Sequence, residues 1–600
     1  MEYYIHTLSS LHIGSGEKYS ANDYVIVHDK CYFIPKKQLF EFLTKHQLTE
    51  KYNKWLNSNT LRLEDLEEEA RVRDTYKKQN AKKDYNRLLQ EIKSKINFME
   101  FCREHDCLDE FNASIKLLPH IPVHSNFKQG HDIFANVKTF NGLPYIPASS
   151  LKGAVRTALL FNWLNEFADK NSVQKLISNA INKTYDKVKK IHDEKIKNKE
   201  LKKLMTDFAD DLEKLAFYCP FYTNDEPDKI RYDEKFDILK FLVISDAASL
   251  NPSAEAFHII KPQLYLNNGT IGTQAPSLEA VRPGHTFAFT ASLNIQAIRN
   301  IYKNMKANSL IIKEYNKSFH YWNNLSEKCR QLFNFSPENL IDASPEIIQK
   351  TEQQALNAIF DSVRKFSVAQ AEFLLKWKKN ISAGRQTKSK AKTFNPENLL
   401  LPNPESELTL MNLGYASGFP GTTAFLFFLN HPEFHEVLTE YMNLFKIGQS
   451  PNGSKKNPVS IDLKKFPKSK MLNTEISSAQ NAYPLGWISI STDKNAPSGN
   501  AFNSAFVKSL SVTESSKKTE IAYFTGKIKE GTELFAKFVK ARPDNPKSKI
   551  FKLLVGKEGE EPLVTISYAS DISPDSVYLV KVTNLSKSGI QNVQIVKKIP

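Results

Sequence analysis

Short runs of alternating apolar and polar residues punctuate this chain, separated by long charged blocks. Near the N-terminus, Tyr3–Ser9, Tyr24–His28 and Cys31–Ile34 alternate as half-buried strands do. Phe241–Ser245, Ala256–Ile260 and Thr286–Leu293 repeat the pattern, the last entered through the turn Val281-Arg282-Pro283-Gly284-His285. Between these runs the period changes. Residues 41–118 are predicted to be mostly helical, with an intermixed charged middle from Leu61 to Lys95. A second helical insertion is predicted over about 165–235, with a lysine-rich run from Lys187 to Lys203 that suits either a solvated helix or a nucleic-acid face. A third helical stretch runs to about Lys379 and into the basic, small-residue segment Lys376–Lys392, read as a loop that orders on RNA.

The most informative segment is Tyr145-Ile146-Pro147-Ala148-Ser149-Ser150-Leu151-Lys152-Gly153-Ala154-Val155-Arg156. It reads as strand, tight turn and helix, with Leu151, Val155 and Leu159 on the packed face. Ser149 or Ser150 is expected to cap the helix, whose first amides favour an anion. Lys152 and Arg156 stand four apart and therefore on one face, which suggests a phosphate seat.

Two glycine segments carry the same theme. Leu11-His12-Ile13-Gly14-Ser15-Gly16-Glu17-Lys18 follows the first strand and leads to Asp23-Tyr24. Leu413-Gly414-Tyr415-Ala416-Ser417-Gly418-Phe419-Pro420-Gly421-Thr422 precedes an apolar run. Successive amides in such loops form concavities that hold anions.

In this order, the three segments resemble those of the RAMP superfamily of CRISPR-associated proteins. Within it, the His-Ile-Gly-Ser-Gly-Glu run with Asp23-Tyr24 is similar to the terminal backbone subunit of the type III-A Csm effector. The resemblance covers residues 1 to about 445. Ala148 replaces the glycine usual in the second motif, while Tyr415 and Pro420 intrude on the third. It implies an α+β protein with two ferredoxin-like RAMP domains enlarged by helical insertions, whereas periodicity alone supports α+β with long insertions. It also implies a non-catalytic subunit that caps a ribonucleoprotein at the 3′ end of the CRISPR RNA. The partners implied are CRISPR RNA, target RNA, the last backbone RAMP subunit and the small helical subunit, in antiviral defence. The expected RNA contacts are His12, Gly14, Ser15, Gly16, Lys18, Ser149, Ser150, Lys152, Arg156, Gly414, Ser417, Gly418, Gly421 and Thr422.

The expected boundaries are 1–240 and 241–445 for the two RAMP domains, and 446–484 for a basic linker. A C-terminal β-rich domain is expected over 485–600. Its strand-like runs begin at Trp487–Ser491, Ala505–Val512 and Ile521–Phe524, and the five from Glu533 onward suit an OB-like barrel. That segment carries 17 basic and 11 acidic residues and reads either as an RNA- or partner-binding barrel or as a scaffolding domain that docks on the rest.

Composition agrees with a polyanionic partner without identifying it. The net charge is +16 over 600 residues, and 39 Phe and 23 Tyr supply aromatic surface for core and base stacking alike. Five cysteines, sparse and odd in number, argue against a disulfide framework. Cys102-x-x-His105-x-Cys107 lacks a second ligand pair, so no metal or other cofactor is expected. With no signal-like N-terminus and no membrane-length apolar run, the expected location is the cytoplasm. Two rival readings follow from single features. Asp23 after the glycine segment would suit a metal-dependent RNA-cutting RAMP subunit, and His12 would suit a general base near a ribose 2′-OH. The insertions and the C-terminal barrel would suit an adaptor that recruits a host nuclease.

Overall fold

The computed structural model describes residues 1–599 except 28, 76–95, 116–117, 119, 124–130, 190, 192, 224–225, 251–255, 275, 309–323, 382–393, 449–460, 475–480, 497–500, 503–531, 542–548, 556–561, 567–576 and 587–588. The chain forms two compact units, Met1–Leu510 and Ser511–Pro600.

The first unit is framed by β1 (Glu2–Thr7), β2 (Gly14–Tyr19), β3 (Ile133–Asn136), α1 (Ala148–Glu166), β4 (Ala247–Ser249), β5 (Ser277–Val281), β6 (Thr286–Leu293), α2 (Pro345–Lys379), β7 (Thr409–Asn412), β8 (Ser469–Thr474) and β9 (Trp487–Ser491). Its main sheet runs β7-β9-β1-β6-β4, with Tyr145–Ile146 beyond β4. The register places Ile5 opposite Phe287 on one side and Ile490 on the other, both antiparallel. In chain order, β1-α1-β4-β6-α2-β9 gives the ferredoxin-like βαββαβ sequence, with the sheet order β9-β1-β6-β4 that this fold requires.

Period-2 burial in β1 turns Tyr3, Ile5 and Thr7 inward. Helical spacing turns Leu151, Val155 and Leu159 of α1 inward, with Leu356, Ile359 and Val363 of α2. Tyr3 packs between Phe289 of β6 and Phe360 of α2, with ring centroids 5.5 and 4.5 Å away. Burying each such side chain is worth about 1.5–3 kcal/mol. Ser344 caps α2 by accepting the Ile347 amide, and Pro345 occupies the first turn, where its missing N–H costs nothing.

The α+β class is as expected, but its partition is different. One ferredoxin-like frame takes β1 and α1 from residues 1–240, and β4, β6 and α2 from 241–445. It takes β9 from beyond residue 485. Trp487–Ser491 therefore belongs to the first unit and not to the C-terminal barrel. The expected linker is also structured where it is described, because β8 pairs with Gln263–Leu266 and with Ala482–Pro484.

The insertion over 41–118 has its own core. Its helices at Lys36–Lys45, Thr49–Thr75, Phe98–Glu104 and Leu108–Ile115 accompany the small sheet Tyr24–Val27, Lys30–Phe33 and His120–Pro122 around Val25, Phe98, Phe101 and Phe111. Cys102 and Cys107 are buried in that core, where burial raises both thiols, and His105 stacks on Phe101. In the second insertion, helices Lys170–Val188 and Glu194–Phe217 are joined by the ion pairs Lys183–Asp207 and Lys187–Glu200, both at 3.5 Å. The basic segment beyond Ile381 lies outside the described residues, as do the strands expected at 505–512 and 521–524.

The second unit contains β10 (Glu533–Ala541), β11 (Lys549–Leu553), β12 (Leu563–Ile566), β13 (Val577–Ser586) and β14 (Gly589–Ile599) in the order β12-β11-β10-β13-β14. The two end strands β12 and β14 come near one another, the neighbour relation of an OB-type barrel, without a hydrogen-bonded ladder among the described residues. Leu534, Ala536, Phe551, Leu553, Tyr578 and Val580 fill its interior.

Candidate nucleic-acid interface

The first and third glycine segments meet. The Tyr415 amide donates to the His12 carbonyl at 2.8 Å, and the Tyr415 ring meets the His12 imidazole edge-on at 6.0 Å. Gly414 has φ 72°, and a Cβ there would lie 2.3 Å from the His12 carbonyl oxygen. Only glycine allows that backbone approach. Gly486 extends the joint: its amide donates to the Ser10 carbonyl, and its own carbonyl accepts from the Leu413 amide.

His12 is buried, and its Nδ1–H donates to the Glu279 carbonyl at 2.7 Å. Burial lowers its pKa, opposed by that bond, so the ring is held neutral with Nε2 towards Gly14. Around it lies a polar network that sequence reasoning missed. Lys138 Nζ donates to Glu279 Oε1 at 2.6 Å and to the Tyr19 hydroxyl at 2.9 Å, and it lies over the rings of Tyr19, Phe33 and Phe257. Glu279 Oε2 accepts the Asn136 amide, and Asn136 Oδ1 accepts the Ile13 amide at 2.7 Å. A signal was available. Glu279 is the lone carboxylate in the buried strand β5, a position that is tolerated only with a buried partner.

Beyond this anchor, β2 is the edge of the sheet that also contains β3, β5 and Phe257–Ile260. Gly14 through Lys18 are exposed, so the segment is a strand and not the expected loop. Among the described residues no further strand pairs with its outer edge, and the Glu17 amide donates to Ser15 Oγ. Ser15 Oγ donates to the Ala135 carbonyl, and Lys18 pairs with Asp132 at 2.7 Å on the surface. Asp23 orders the following turn: its Oδ2 accepts both the Ser20 amide and the Ser20 hydroxyl at 2.7 Å.

In the third segment, Ser417 Oγ donates back to the Gly414 carbonyl, and Thr422 Oγ1 donates to the Gly418 carbonyl. Gly421 packs against α2, where Gln370 Nε2 reaches its carbonyl at 3.4 Å. Gly418 is exposed and has φ 70°.

The second segment departs from expectation. Pro147, not a serine, precedes the first helical residue of α1, and the Ala148 amide donates to Asp246 Oδ1 at 2.7 Å. A carboxylate of the chain itself thus occupies the helix start, and Ser149 and Ser150 make no cap. Arg156 Nε donates to Glu213 at 2.5 Å and its Nη1 to Asp237 at 2.9 Å, with the guanidinium over Phe217. Lys152 Nζ donates to the Leu242 carbonyl, and burial lowers its pKa. The expected phosphate seat is therefore a structural cluster: both cations are spent on internal partners that are distant in sequence.

A profile of the RAMP superfamily matches residues 4–308. The chain belongs to the RAMP superfamily. Among RAMP relatives, it is 23% identical over 369 residues to the CRISPR system Cms protein Csm5 of Methanocaldococcus jannaschii, covering 60% of this chain and 66% of that one. It is 26% identical over 172 residues to the protein of the same name from Streptococcus thermophilus, covering 27% and 39%. The matches thus span less than two thirds of either curated relative. Among solved structures, this RAMP chain is similar to a chain in a Csm–crRNA–target RNA ternary complex of a type III-A CRISPR-Cas system (TM-score 0.44, 18% identity, 82% of this chain and 100% of that one). It is also similar to T. onnurineus Csm5 (TM-score 0.43, 17% identity, 81% and 99%). Among the described residues of this RAMP protein, no group of three or more His, Cys, Asp or Glu side chains converges as a metal site. No described helix is long and apolar enough to cross a membrane.

Proposed function

We propose that this protein is an RNA-holding subunit of a type III-A Csm ribonucleoprotein, capping it at the 3′ end of the CRISPR RNA without cutting. Its partners are then CRISPR RNA, target RNA, the last backbone RAMP subunit and the small helical subunit. Similarity to proteins named Csm5 supports the assembly. The observation that carries RNA contact is the anchoring of Gly414–Tyr415 on His12, which sets exposed Gly418 and the exposed edge strand Gly14–Lys18 on two neighbouring backbones. Edge amides and glycines let a phosphate backbone approach without reading bases, as a carrier of arbitrary guides requires. The placement of Asp23 favours a turn over a nuclease centre, since its carboxylate already holds Ser20.

The test is to purify the tagged chain from its host and sequence the RNA that accompanies it, beside Gly14→Val/Gly16→Val and Asp23→Ala variants. Guide RNAs with defined 3′ ends, in company with other Csm subunits and depleted in the glycine variant, are expected. Asp23→Ala is expected to leave both RNA content and target cleavage unchanged. Loss of cleavage with binding retained would favour the nuclease reading, and recovery without guide RNA would sink the capping role.

A further inference from the structure

The third glycine segment closes over a recess that the sequence gives no reason to expect. Its walls are Gln370 and Phe373 of α2, Asn412 of β7, Ser417 and Gly421 of the loop, and Trp487 of β9. Into it reaches Lys470 of β8, a residue of the segment that reads as a linker. Its Nζ lies 3.5 Å from the Ser417 carbonyl and 3.8 Å from the point a Gly418 Cβ would occupy. Among the described residues, no carboxylate pairs with it, and none lines the recess. Lys152 shares this lack, donating to the Leu242 carbonyl, whereas three other cations near the motif segments each have a carboxylate. Lys18 has Asp132, Lys138 has Glu279, and Arg156 has Glu213 and Asp237. A half-buried ammonium with no counter-charge is costly, and the cost is recovered when an anion arrives. The Gln370 and Asn412 amides already donate to the Gly421 and Leu485 carbonyls, and the second hydrogen of each NH2 is the donor left for a phosphate oxygen.

We propose that Lys470 and the recess beneath Gly418–Gly421 form a seat for one phosphate group of a ribonucleotide. The seat rests on the RNA-holding reading and adds a residue beyond the span matched by the family. The phosphate comes either from the backbone of a bound strand or from a free mononucleotide. Burial lowers the Lys470 ammonium to about 8, so its charge is lost in a range where the other groups facing the recess do not titrate. Those from α2, β7, the loop, Pro484 and Trp487 are amides, hydroxyls and apolar side chains, and Tyr265, the cross-strand partner of Lys470, is pushed up to about 12 by burial.

The experiment uses the full chain as wild type, Lys470→Met and Lys470→Arg, with a labelled 12-nucleotide RNA and adenosine 5′-monophosphate as probes, at pH 7 and pH 9. Methionine replaces the stem of the lysine and removes a desolvated charge, so the variant is expected to fold, and a thermal melt verifies this. Lys470→Met is expected to bind RNA about tenfold more weakly at pH 7, with a salt slope shallower by about 1. Wild type is expected to weaken between pH 7 and pH 9 by more than Lys470→Met does, while Lys470→Arg keeps its affinity at pH 9. Lysine-dependent binding of the mononucleotide identifies a free phosphate as sufficient; dependence for the RNA alone identifies a backbone phosphate. If affinity, salt slope and pH response are the same in wild type and Lys470→Met for both probes, the seat does not exist. Recovery of the native protein without guide RNA, with lysine-dependent binding intact in vitro, would overturn the capping role and leave the seat standing.

Discussion

The Tyr415 amide donates to the His12 carbonyl at 2.8 Å, joining two glycine segments that are far apart in the sequence of the first unit. The contact exists because residue 414 has no side chain. Gly414→Ala would place a Cβ 2.3 Å from that carbonyl, at a backbone angle that alanine resists. A loss on the order of 2–4 kcal/mol is expected in urea unfolding, along with loss of RNA retention. Gly153 is the control. It is helical, and a Cβ there meets nothing within 4 Å, so Gly153→Ala is expected to stabilise by about 0.5–1 kcal/mol.

Arg156 separates a structural cluster from a phosphate seat. Arg156→Ala strands Glu213 and the buried Asp237 without their cation, and a loss of about 3 kcal/mol is expected. The salt dependence of RNA binding by the folded fraction is expected to stay as in wild type. A shallower slope at unchanged stability would restore the phosphate role.

Lys138 and Glu279 are a buried pair, and a double-mutant cycle measures their coupling. Burial raises the Glu279 carboxyl, while Lys138 opposes that rise. Glu279→Leu leaves a cation buried against three aromatic rings, so about 3 kcal/mol is expected to be lost. Adding Lys138→Met is expected to recover some of it, because methionine meets the three rings without a charge, while the Asn136 amide still lacks its acceptor. Urea unfolding of the two single variants and the double variant gives the coupling directly.

His285 makes stability fall in acid. Burial lowers its pKa to about 4, with its Nε2 at 2.8 Å from Ser249 Oγ. The unfolded imidazole takes a proton first, near its ordinary value. The contribution is therefore complete above about pH 6.5 and is lost as the pH falls towards 4, up to about 3 kcal/mol. Comparing urea unfolding of wild type and His285→Gln at pH 7.5 and pH 4.5 isolates this share: the variant is expected to lose less.

Most strands and helices of the frame are legible in the sequence, because period 2 and period 3.6 are local properties that burial on one face imposes. Tyr3–Ser9, Thr286–Leu293 and the helix after Pro147 stand close to where their patterns put them. The five strands after Glu533 are equally local, since each is bounded by its own turn residues. The partners of charged groups are another matter. Nothing in the spacing of Lys152 and Arg156 says that Glu213, Asp237 and Leu242 will take them inward, since a cation at helical spacing looks the same whether solvated or paired.

The sequence by itself determined the elements, the glycine segments and the family. Tertiary structure alone decided that strands from three expected domains complete one sheet, that His12 is an anchor, and that Lys470 faces a glycine loop from a supposed linker. The reason is physical. A strand's period records that it has a buried face but not which strand lies beside it, and a charge acquires its meaning from neighbours that only folding supplies.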